Sequence, residues 1–266
     1  MHPILELGKI QIPTYGLMAV VGFGVALLVM IHISKWFQIP KYDIVYASIY
    51  GVAGIVVGAK LIYFLTTLPG VIRHIDVFFE KPIDSLEYMF GGWVFFGGLI
   101  GAMLAIYIYC RKYHLNPWSF ADTIAPVIPL FHAFGRIGCH LAGCCYGTEY
   151  HGIFSVTYPD SIYTKDMAGI PRAPVQLMEA GFNCILFLVL YFYVKRKPKP
   201  GNSLGIYVIA YSIARFTLEF LRGDSYRGGL LWLSTSQWIS LIILPFGIWL
   251  ICAKHKEKNI DRNYDK

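Results

Sequence analysis

The stretch HAFGRIGCHLAGCCYG, residues 132–147, indicates most directly what kind of protein this is, because it places Arg136 inside apolar, helix-like sequence. Arg215 lies in another apolar run, SLGIYVIAYSIARFTLEFL, and Lys60 ends the run GVAGIVVGAK. An isolated guanidinium at bilayer depth costs from about 3 kcal/mol upward, so such a cation is expected to serve a function. Three cations in apolar segments predict a shared anionic partner, and a bilayer offers the headgroup of a phospholipid.

Composition places the chain among membrane proteins. Of its 266 residues, 56% are hydrophobic and 15% are charged, which is too apolar for a soluble domain of this length. The hydropathy pattern predicts an all-α integral membrane protein with seven transmembrane helices, each near the roughly 20 residues that a bilayer core requires. We expect one polytopic membrane domain over residues 1–266, with spans at 13–34, 44–66, 90–110, 119–141, 176–194, 203–222 and 237–253.

Basic residues predict the orientation of the chain in the membrane. The loops after the first, third and fifth predicted spans are rich in Lys and Arg, as is the C-terminal tail, and all four lie on one side if the spans number seven. The positive-inside rule then puts the N-terminus outside and the C-terminus in the cytoplasm. These loops explain the net charge of +7, which is therefore little indication of nucleic-acid binding. Residues 67–89 and 148–175 are too polar to span, so we expect extracytoplasmic segments that form interfacial helices, short strands or a small extracytoplasmic cap.

Glycine spacing predicts close contacts between helices. Gly54 and Gly58 form one GxxxG pattern and Gly97 and Gly101 form another, and such patterns let helix backbones approach where lipid gives no hydrophobic drive to pack. A second group of glycines lies around Arg136 and the nearby cysteines. Each glycine weakens a helix by roughly 1 kcal/mol relative to alanine. We therefore expect a local helix break or a close ligand approach near this group, which comprises Gly135, Gly138, Gly143 and Gly147.

The cysteines of the 132–147 stretch follow the pattern C-H-x3-C-C, formed by Cys139, His140, Cys144 and Cys145. A tetrahedral zinc site usually shows two spaced pairs of ligands, and adjacent cysteines do not easily bind one ion. Packing in a glycine-rich turn is the favoured interpretation, and no metal site is predicted. A metal site, a disulfide and a thiol nucleophile are the alternatives. The other three cysteines stand singly in apolar segments and are predicted to be small hydrophobes.

Short motifs follow one another in order along nearly the whole chain. They are YGLM at 15–18, GAKL at 58–61, GGLIG at 97–101, GRIG at 135–138 followed by Gly147, QLMEA at 176–180, Y-x3-RF-x2-EF-x-R-x-D from Tyr211 to Asp224, and SQW at 236–238. This ordered set resembles the bacterial prolipoprotein diacylglyceryl transferase family. The family has seven helices with the N-terminus outside, in agreement with the orientation predicted from the basic loops.

The resemblance implies a reaction in the bacterial plasma (inner) membrane. Members of the family move the diacylglyceryl unit of phosphatidylglycerol onto the lipobox cysteine thiol of a prolipoprotein, releasing glycerol phosphate and forming a thioether. This is the first step of lipoprotein maturation, and it needs no metal or nucleotide cofactor. The implied partners are phosphatidylglycerol, the prolipoprotein signal peptide with its lipobox cysteine, and the lipid bilayer, with no nucleic acid.

The resemblance also implies roles for individual residues. Arg136 falls on the family's phosphatidylglycerol-binding arginine, and Arg215 falls on its essential arginine in a later helix. The set predicted to bind phosphatidylglycerol is Arg136, Tyr15, Gly147 and Lys60. The set predicted to act in catalysis is Arg215, Tyr211, Glu219 and His132.

The pairing of Arg215 with Glu219 also follows from spacing. Glu219 lies four residues after Arg215, so both face one side of a helix and can form an ion pair. Fixed guanidinium groups in a dry site stabilise the negative charge that develops on a departing glycerol phosphate. A purely structural ion pair is the alternative interpretation of these two residues.

The chain departs from the family pattern around the reaction centre. Typical members carry a histidine just before GGLIG, proposed to help activate the thiol, where this chain has Phe96. The asparagine after GRIG is Cys139 here, and a later asparagine and glutamate are replaced by Ala142 and Cys144. These departures leave two alternatives open. One is a related phosphatidylglycerol-using transferase with a different acceptor, and the other is a non-enzymatic lipid-binding or transport membrane protein.

A histidine elsewhere in the chain would supply the proton-accepting group that Phe96 lacks. His132 lies four residues before Arg136 and eight before His140, so one continuous helix would put all three on a single stripe. Histidine is the usual group for proton transfer near neutral pH. We therefore predict His132 as the base, with a hydrogen-bonded packing histidine as the alternative.

Overall fold

The structure, a computed structural model, describes residues 3–7, 10–159, 168–223 and 229–253, and these are mostly helical. The helices are α1 (Thr14–Ser34), α2 (Lys41–Arg73), α3 (Ile75–Glu80), α4 (Pro82–Phe90), α5 (Phe95–Lys112), α6 (Pro117–Ile124), α7 (Val127–Ala142), α8 (Val175–Val194), α9 (Asn202–Glu219) and α10 (Thr235–Cys252). Six short strands accompany them, β1 (Ile4–Leu7), β2 (Ile10–Pro13), β3 (Val156–Thr157), β4 (Pro171–Arg172), β5 (Gly229–Leu230) and β6 (Leu233–Ser234). The basic tail used to predict the orientation lies beyond the described residues.

The chain divides into two compact units. In the described residues, the first unit contains α1, nearly all of α6 and α7–α10, and the second contains α2–α5. In the first unit, α7 packs against α1 and α8, while α9 packs against α8 and α10. In the second unit, α2 packs against α5 and α4. A single domain over the whole chain stays a prediction.

Six helices in the described residues are long and apolar enough to cross a membrane. They are Thr14–Phe37, Lys41–Arg73, Phe95–Lys112, Pro117–Ala142, Val175–Val194 and Thr235–Cys252, and they confirm six of the seven predicted spans. The predicted span 203–222 forms the helix α9, which is not among the six. Its hydropathy is lower because it carries Arg215, Glu219 and several hydroxyl side chains. The seventh span and the orientation of the termini stay predictions.

The segments predicted to lie outside the membrane have regular structure. Residues 67–89 contain the end of α2, then α3 and most of α4. In segment 148–175, β3 and β4 pair antiparallel, with Val156 opposite Arg172. Two further hairpins, β1–β2 and β5–β6, depart from the all-α expectation. The sequences LEL at 5–7 and IQI at 10–12 alternate apolar with polar residues, which is the period of a strand and could have revealed the first hairpin.

The glycine pairs of α2 and α5 face each other, which confirms the predicted close packing. A side-chain carbon at Gly58 would collide with the carbonyl oxygen of Gly97, and one at Gly101 would collide with that of Gly54. The two backbones are therefore in direct contact along this crossing. Only glycine permits that approach, as the GxxxG spacing indicates.

Helix α7, which carries the 132–147 stretch, runs without a break from Val127 to Ala142. Gly135 and Gly138 therefore lie inside a continuous helix, because tertiary packing outweighs the intrinsic helix penalty of glycine, and the break expected near this glycine group falls at the end of the helix. At Gly138 the missing side chain makes room for α1, since a Cβ there would lie 3.2 Å from that of Met18. The helix ends at Gly143, whose φ of 79° is the left-handed conformation that glycine adopts easily.

The start of α9 is fixed by a carboxylate from α6. The buried Asp122 accepts hydrogen bonds from the backbone N–H groups of Gly201 at 2.8 Å and Ser203 at 3.0 Å. These N–H groups have no partner within the helix, so an acidic side chain at this end stabilises it. The contact fixes the position of α9 relative to α6, within the first compact unit.

Candidate active site

Arg136 of α7 forms an ion pair with Glu179 of α8. The guanidinium Nη2 lies 2.9 Å from Oε1 of Glu179, and the two side chains are 19% and 2% exposed. In the described part of the chain neither oxygen of Glu179 accepts a hydrogen bond, so the contact is ionic and leaves acceptor capacity on the carboxylate. Sequence reasoning missed Glu179, although it lies inside the quoted motif QLMEA. A carboxylate in an apolar span was the available signal, since an intramembrane cation requires a partner.

Arg215 of α9 pairs with Glu219 one turn later, as the four-residue spacing predicted. Its Nη2 lies 2.7 Å from Oε2 of Glu219, and both side chains are buried. The same nitrogen donates a hydrogen bond to Ser236 Oγ at 3.0 Å, which ties α9 to the start of α10. The other terminal nitrogen, Nη1, is buried and has no hydrogen-bond partner among the described residues. A buried charged donor without a partner is expensive, so this nitrogen is available to a ligand.

An aromatic cluster lies between these two arginines. Tyr211 of α9 is close to the guanidinium groups of both Arg136 and Arg215. The Tyr211 ring stacks on that of Tyr207 with centroids 5.8 Å apart, and it lies 5.2 Å from the imidazole of His132. The hydroxyl of Tyr207 lies 3.5 Å from His132 Nδ1. The structure thus brings His132, Arg136, Tyr211, Arg215 and Glu219 together within the first compact unit.

Each of the three cations in apolar segments has a partner within the chain. Arg136 and Arg215 each have a glutamate. The ammonium of Lys60, in the second compact unit, donates to the backbone oxygen of Phe90 and lies 4.4 Å from the centre of the Trp93 ring. Burial of an unpaired charge is costly enough that the protein supplies partners of its own. For Lys60 these contacts give a packing role, and its assignment to phosphatidylglycerol stays a prediction.

Tyr15 and Gly147 have different surroundings. Tyr15, at the start of α1, packs against Gly138 of α7 and its ring remains about half exposed, on the same side of the unit as Arg136. Gly147 lies in the loop after α7, where a side chain would collide with the carbonyl oxygen of Ala173. Its own carbonyl accepts a hydrogen bond from Arg172 at 3.2 Å. Gly147 therefore has a packing role, and its contact with a lipid stays a prediction.

The cysteines of the C-H-x3-C-C pattern are brought together. The sulfur atoms of Cys139, Cys144 and Cys145 all lie within 4.8 Å of one another, and none of the three forms a disulfide. His140 points elsewhere, with its ring 6.4 Å from that of Tyr158. Cys145 adopts a left-handed backbone conformation with φ of 61°, which accompanies this convergence of the thiols.

The loop after α7 is held by a buried polar contact. The hydroxyl of Tyr158 hydrogen bonds Gln176 Oε1 at 3.1 Å, and the amide of Gln176 donates to the backbone oxygen of Cys144 at 2.8 Å. Burial raises the pKa of the Tyr158 hydroxyl. Gln176 belongs to the same QLMEA motif as Glu179, so one turn of α8 fixes both the loop and Arg136.

Two residues named in the sequence analysis, Phe96 and Asp224, are not part of the site described above. Phe96 lies in α5 of the second compact unit, where its ring is 46% exposed and makes an edge contact with Phe95. Asp224, the last residue of the motif that starts at Tyr211, is outside the described residues. The missing family histidine therefore has no replacement visible at its own position.

Comparison with known proteins agrees with the motifs. The family model for prolipoprotein diacylglyceryl transferase matches residues 3–253. The chain is similar to a phosphatidylglycerol–prolipoprotein diacylglyceryl transferase of Clostridium tetani, with 33% identity over 263 residues and 98% of each chain covered. It is similar to a transferase of the same name, numbered 2, from Clostridium perfringens, with 34% identity and 92% of each chain covered.

A third relative comes from a different genus. The phosphatidylglycerol–prolipoprotein diacylglyceryl transferase of Solidesulfovibrio magneticus is 31% identical over 264 residues, which cover 96% of this chain and 95% of the relative. The match therefore extends over both compact units, including the helices that carry the two arginine–glutamate pairs. With a family model that covers nearly all of its length, the chain belongs to the prolipoprotein diacylglyceryl transferase family.

Proposed function

We propose that this protein transfers the diacylglyceryl group of phosphatidylglycerol to the lipobox cysteine thiol of a prolipoprotein. The relatives named above carry this activity in their names. The observation that carries the proposal is a pair of guanidinium groups in one compact unit, the partly exposed Arg136 and the buried Arg215, both close to Tyr211. Such a site presents fixed positive charge in an apolar environment, as a lipid phosphate requires.

Phosphate binding is supported by the donors that remain on the two arginines. A guanidinium has five N–H groups, and the Arg136–Glu179 contact is made through Nη2. Arg136 is also 19% exposed, so part of the group is open to a ligand. Arg215 contributes the buried Nη1, which has no hydrogen-bond partner in the part of the chain that the structure describes. The planar fork of arginine matches a phosphate by two parallel hydrogen bonds, which lysine cannot make.

The reaction replaces one bond to carbon by another. The thiol loses its proton, its sulfur attacks the glycerol carbon that carries the phosphate, and a carbon–sulfur bond forms as the carbon–oxygen bond breaks. The electron pair leaves with glycerol phosphate, whose added negative charge faces the guanidinium groups. Preorganised charges in a dry site stabilise such a leaving group strongly. Glu179 and Glu219 hold the two guanidinium groups in place.

We assign the removal of the thiol proton to His132, the base that the sequence predicts. Its imidazole lies beside Tyr211, whose hydroxyl approaches Arg136, so a path from thiol to imidazole would pass close to the phosphate. The alternative is a thiol whose deprotonation is favoured by the arginines alone. Phe96 cannot serve in either case, because a phenyl ring transfers no proton.

Phe96 and Cys139 favour a second candidate function. Both stand where typical members carry polar groups, so a related phosphatidylglycerol-using transferase with a different acceptor fits the same site. The assay combines the purified protein with phosphatidylglycerol vesicles and a lipobox peptide, and mass spectrometry detects the diacylglyceryl thioether. A peptide with serine in place of the lipobox cysteine is the control. Release of glycerol phosphate without a modified peptide would support another acceptor, and no reaction in either readout would contradict the transferase.

The proposed location is the bacterial inner membrane, with seven spans, the N-terminus outside and a small extracytoplasmic cap. Ile153 is 97% exposed in the segment 148–175, and Lys197 is exposed in the basic loop after α8. An impermeant thiol reagent added from outside should label Ile153→Cys and should label Lys197→Cys no more than the parent protein, which sets the baseline. Labelling of Lys197→Cys above that baseline in intact cells would overturn the orientation.

A further inference from the structure

A cluster of three thiols lies at the end of α7 and has no role in the transferase chemistry above. Cys139 belongs to the last turn of α7, and Cys144 and Cys145 belong to the loop that follows. Their sulfur atoms lie within 4.8 Å of one another, and the thiols are buried or half-buried. Thiolates are the protein ligands that soft metal ions prefer.

The backbone brings these thiols together by two left-handed residues. Gly143 ends the helix with φ of 79°, and the N–H of Cys144 returns to the carbonyl oxygen of Cys139 at 3.1 Å. Cys145 then has φ of 61°, a conformation that a non-glycine residue adopts rarely. This turn places neighbouring thiols on the same side as the thiol of Cys139. The convergence is thus built into the loop, which Gln176 holds in place through the carbonyl of Cys144.

Positive charge surrounds the cluster. The Arg222 guanidinium hydrogen bonds with the Cys145 thiol. Arg136 lies one turn before Cys139 on the same helix and is within electrostatic range of it. A complex of three thiolates with a monovalent or divalent cation carries a net charge of minus two or minus one. Guanidinium groups near it therefore complement the loaded site.

We propose that Cys139, Cys144 and Cys145 bind one thiophilic metal ion through their three sulfur atoms. Among the described residues, these three cysteines form the one group of histidine, cysteine or carboxylate side chains that converge in this way. A structural zinc site is usually closed by four protein ligands. Three sulfurs suit a three-coordinate Cu(I) ion or a Zn(II) ion that keeps one open position. Cu(I) and Zn(II) would bind the same three thiolates, and the experiment distinguishes between the two ions.

The experiment uses the full chain, reduced and purified in detergent under anaerobic conditions. Cu(I) is titrated against a chromogenic chelator, Zn(II) is titrated in parallel, and Co(II) serves as a spectroscopic probe for thiolate ligation. We expect one ion per chain, with sulfur-to-cobalt charge-transfer bands in the near ultraviolet. Tighter binding of Cu(I) than of Zn(II) against matched competitors would identify a three-coordinate site, and the reverse would identify zinc with an open position.

Serine variants test which sulfurs bind. Each of Cys139→Ser, Cys144→Ser and Cys145→Ser should lower the affinity by at least about 100-fold, the upper range for the loss of an outer-shell partner. The matched control replaces Cys110, Cys184 and Cys252, which are free thiols outside the cluster, and should keep the affinity unchanged. Binding is read without turnover, so the result is independent of the transferase proposal.

Three outcomes would overturn the proposal. The first is no stoichiometric binding of Cu(I) or Zn(II) by the reduced wild-type chain. The second is equal loss of binding in the control variant, which would place the metal elsewhere. The third is a disulfide among Cys139, Cys144 and Cys145 in protein alkylated directly in membranes, because oxidised sulfurs cannot serve as thiolate ligands.

Discussion

The two arginine–glutamate pairs of this protein are built in different ways. Arg215 and Glu219 lie one turn apart on α9, so the helix alone brings them together. Arg136 and Glu179 lie on α7 and α8, and they meet only where those helices pack. Both pairs are largely buried. A membrane helix keeps its backbone structure when its neighbours separate, so the local pair survives separation of the helices and the pair between helices does not.

This difference assigns the pairs different tasks. The Arg215–Glu219 pair neutralises a charge within α9, which would lower the cost of inserting α9 as the predicted seventh span. The Arg136–Glu179 pair joins two helices and fixes where a guanidinium stands relative to Tyr211 and Arg215. Active-site geometry therefore depends more on the second pair. Three experiments, from the largest expected effect to the smallest, test this contrast.

Arg136→Ala should remove phosphatidylglycerol-dependent activity, with a loss of at least about 100-fold, the range for removing one electrostatic donor. The same change leaves Glu179 buried without its partner, which can cost about 3–5 kcal/mol. Arg136→Lys keeps a charge for Glu179 but loses the planar fork, so it should fold and still be poorly active. Turnover is measured by thioether formation on the lipobox peptide.

The matched control for these variants is Arg196→Ala, in the exposed loop after α8, which should keep near-normal activity. Near-normal turnover in Arg136→Ala, on protein shown to be inserted in the membrane, would contradict the assignment of Arg136 as the phosphate-binding residue. It would also remove the functional contrast between the two pairs.

His132 of α7 contacts Tyr211 and Tyr207 of α9, so it links the helices that carry the two ion pairs. Its removal tests whether that link serves catalysis. His132→Ala should lower the rate by roughly 100-fold, the low end for general acid–base catalysis, and leave phosphatidylglycerol binding intact. His132→Gln can still hydrogen bond and should restore folding without restoring the rate. The measurements are single-turnover rates and lipid binding on folded, inserted protein. A change below about threefold in both variants would favour activation of the thiol by the arginines alone.

A pair of double-mutant cycles compares the two ion pairs directly. The cycle of Arg136→Gln with Glu179→Gln should give a coupling free energy of about 1.5 kcal/mol or more, within the range for contacting residues. The cycle of Arg215→Gln with Glu219→Gln should give less than about 0.5 kcal/mol, because that pair persists when the helices separate. The free energy of unfolding is measured by reversible denaturation in mixed micelles. Equal coupling in the two cycles would refute the distinction.

The periodicity of residues allowed several features to be predicted before any contact was known. Six spans follow from hydropathy, because a run of apolar side chains of bilayer length needs no knowledge of its neighbours. The contact of α2 with α5 follows from two GxxxG patterns, since four-residue spacing puts glycines on one face. The Arg215–Glu219 pair follows from the same helical geometry. These are local rules, so the chain alone determines their outcome.

Tertiary structure decided the features that join distant segments. Glu179 as the partner of Arg136, the aromatic contact of His132 with Tyr211, and the convergence of Cys139 with Cys144 and Cys145 have no fixed spacing in the chain. The first two depend on how α7, α8 and α9 pack. The third depends on two left-handed residues in a loop, one of them a cysteine. Sequence periodicity predicts which face of a helix a residue occupies, but helix packing determines which residues that face contacts. An arginine in an apolar segment needs a partner for its charge, so for Arg136 the packing of α7 against α8 decides that partner.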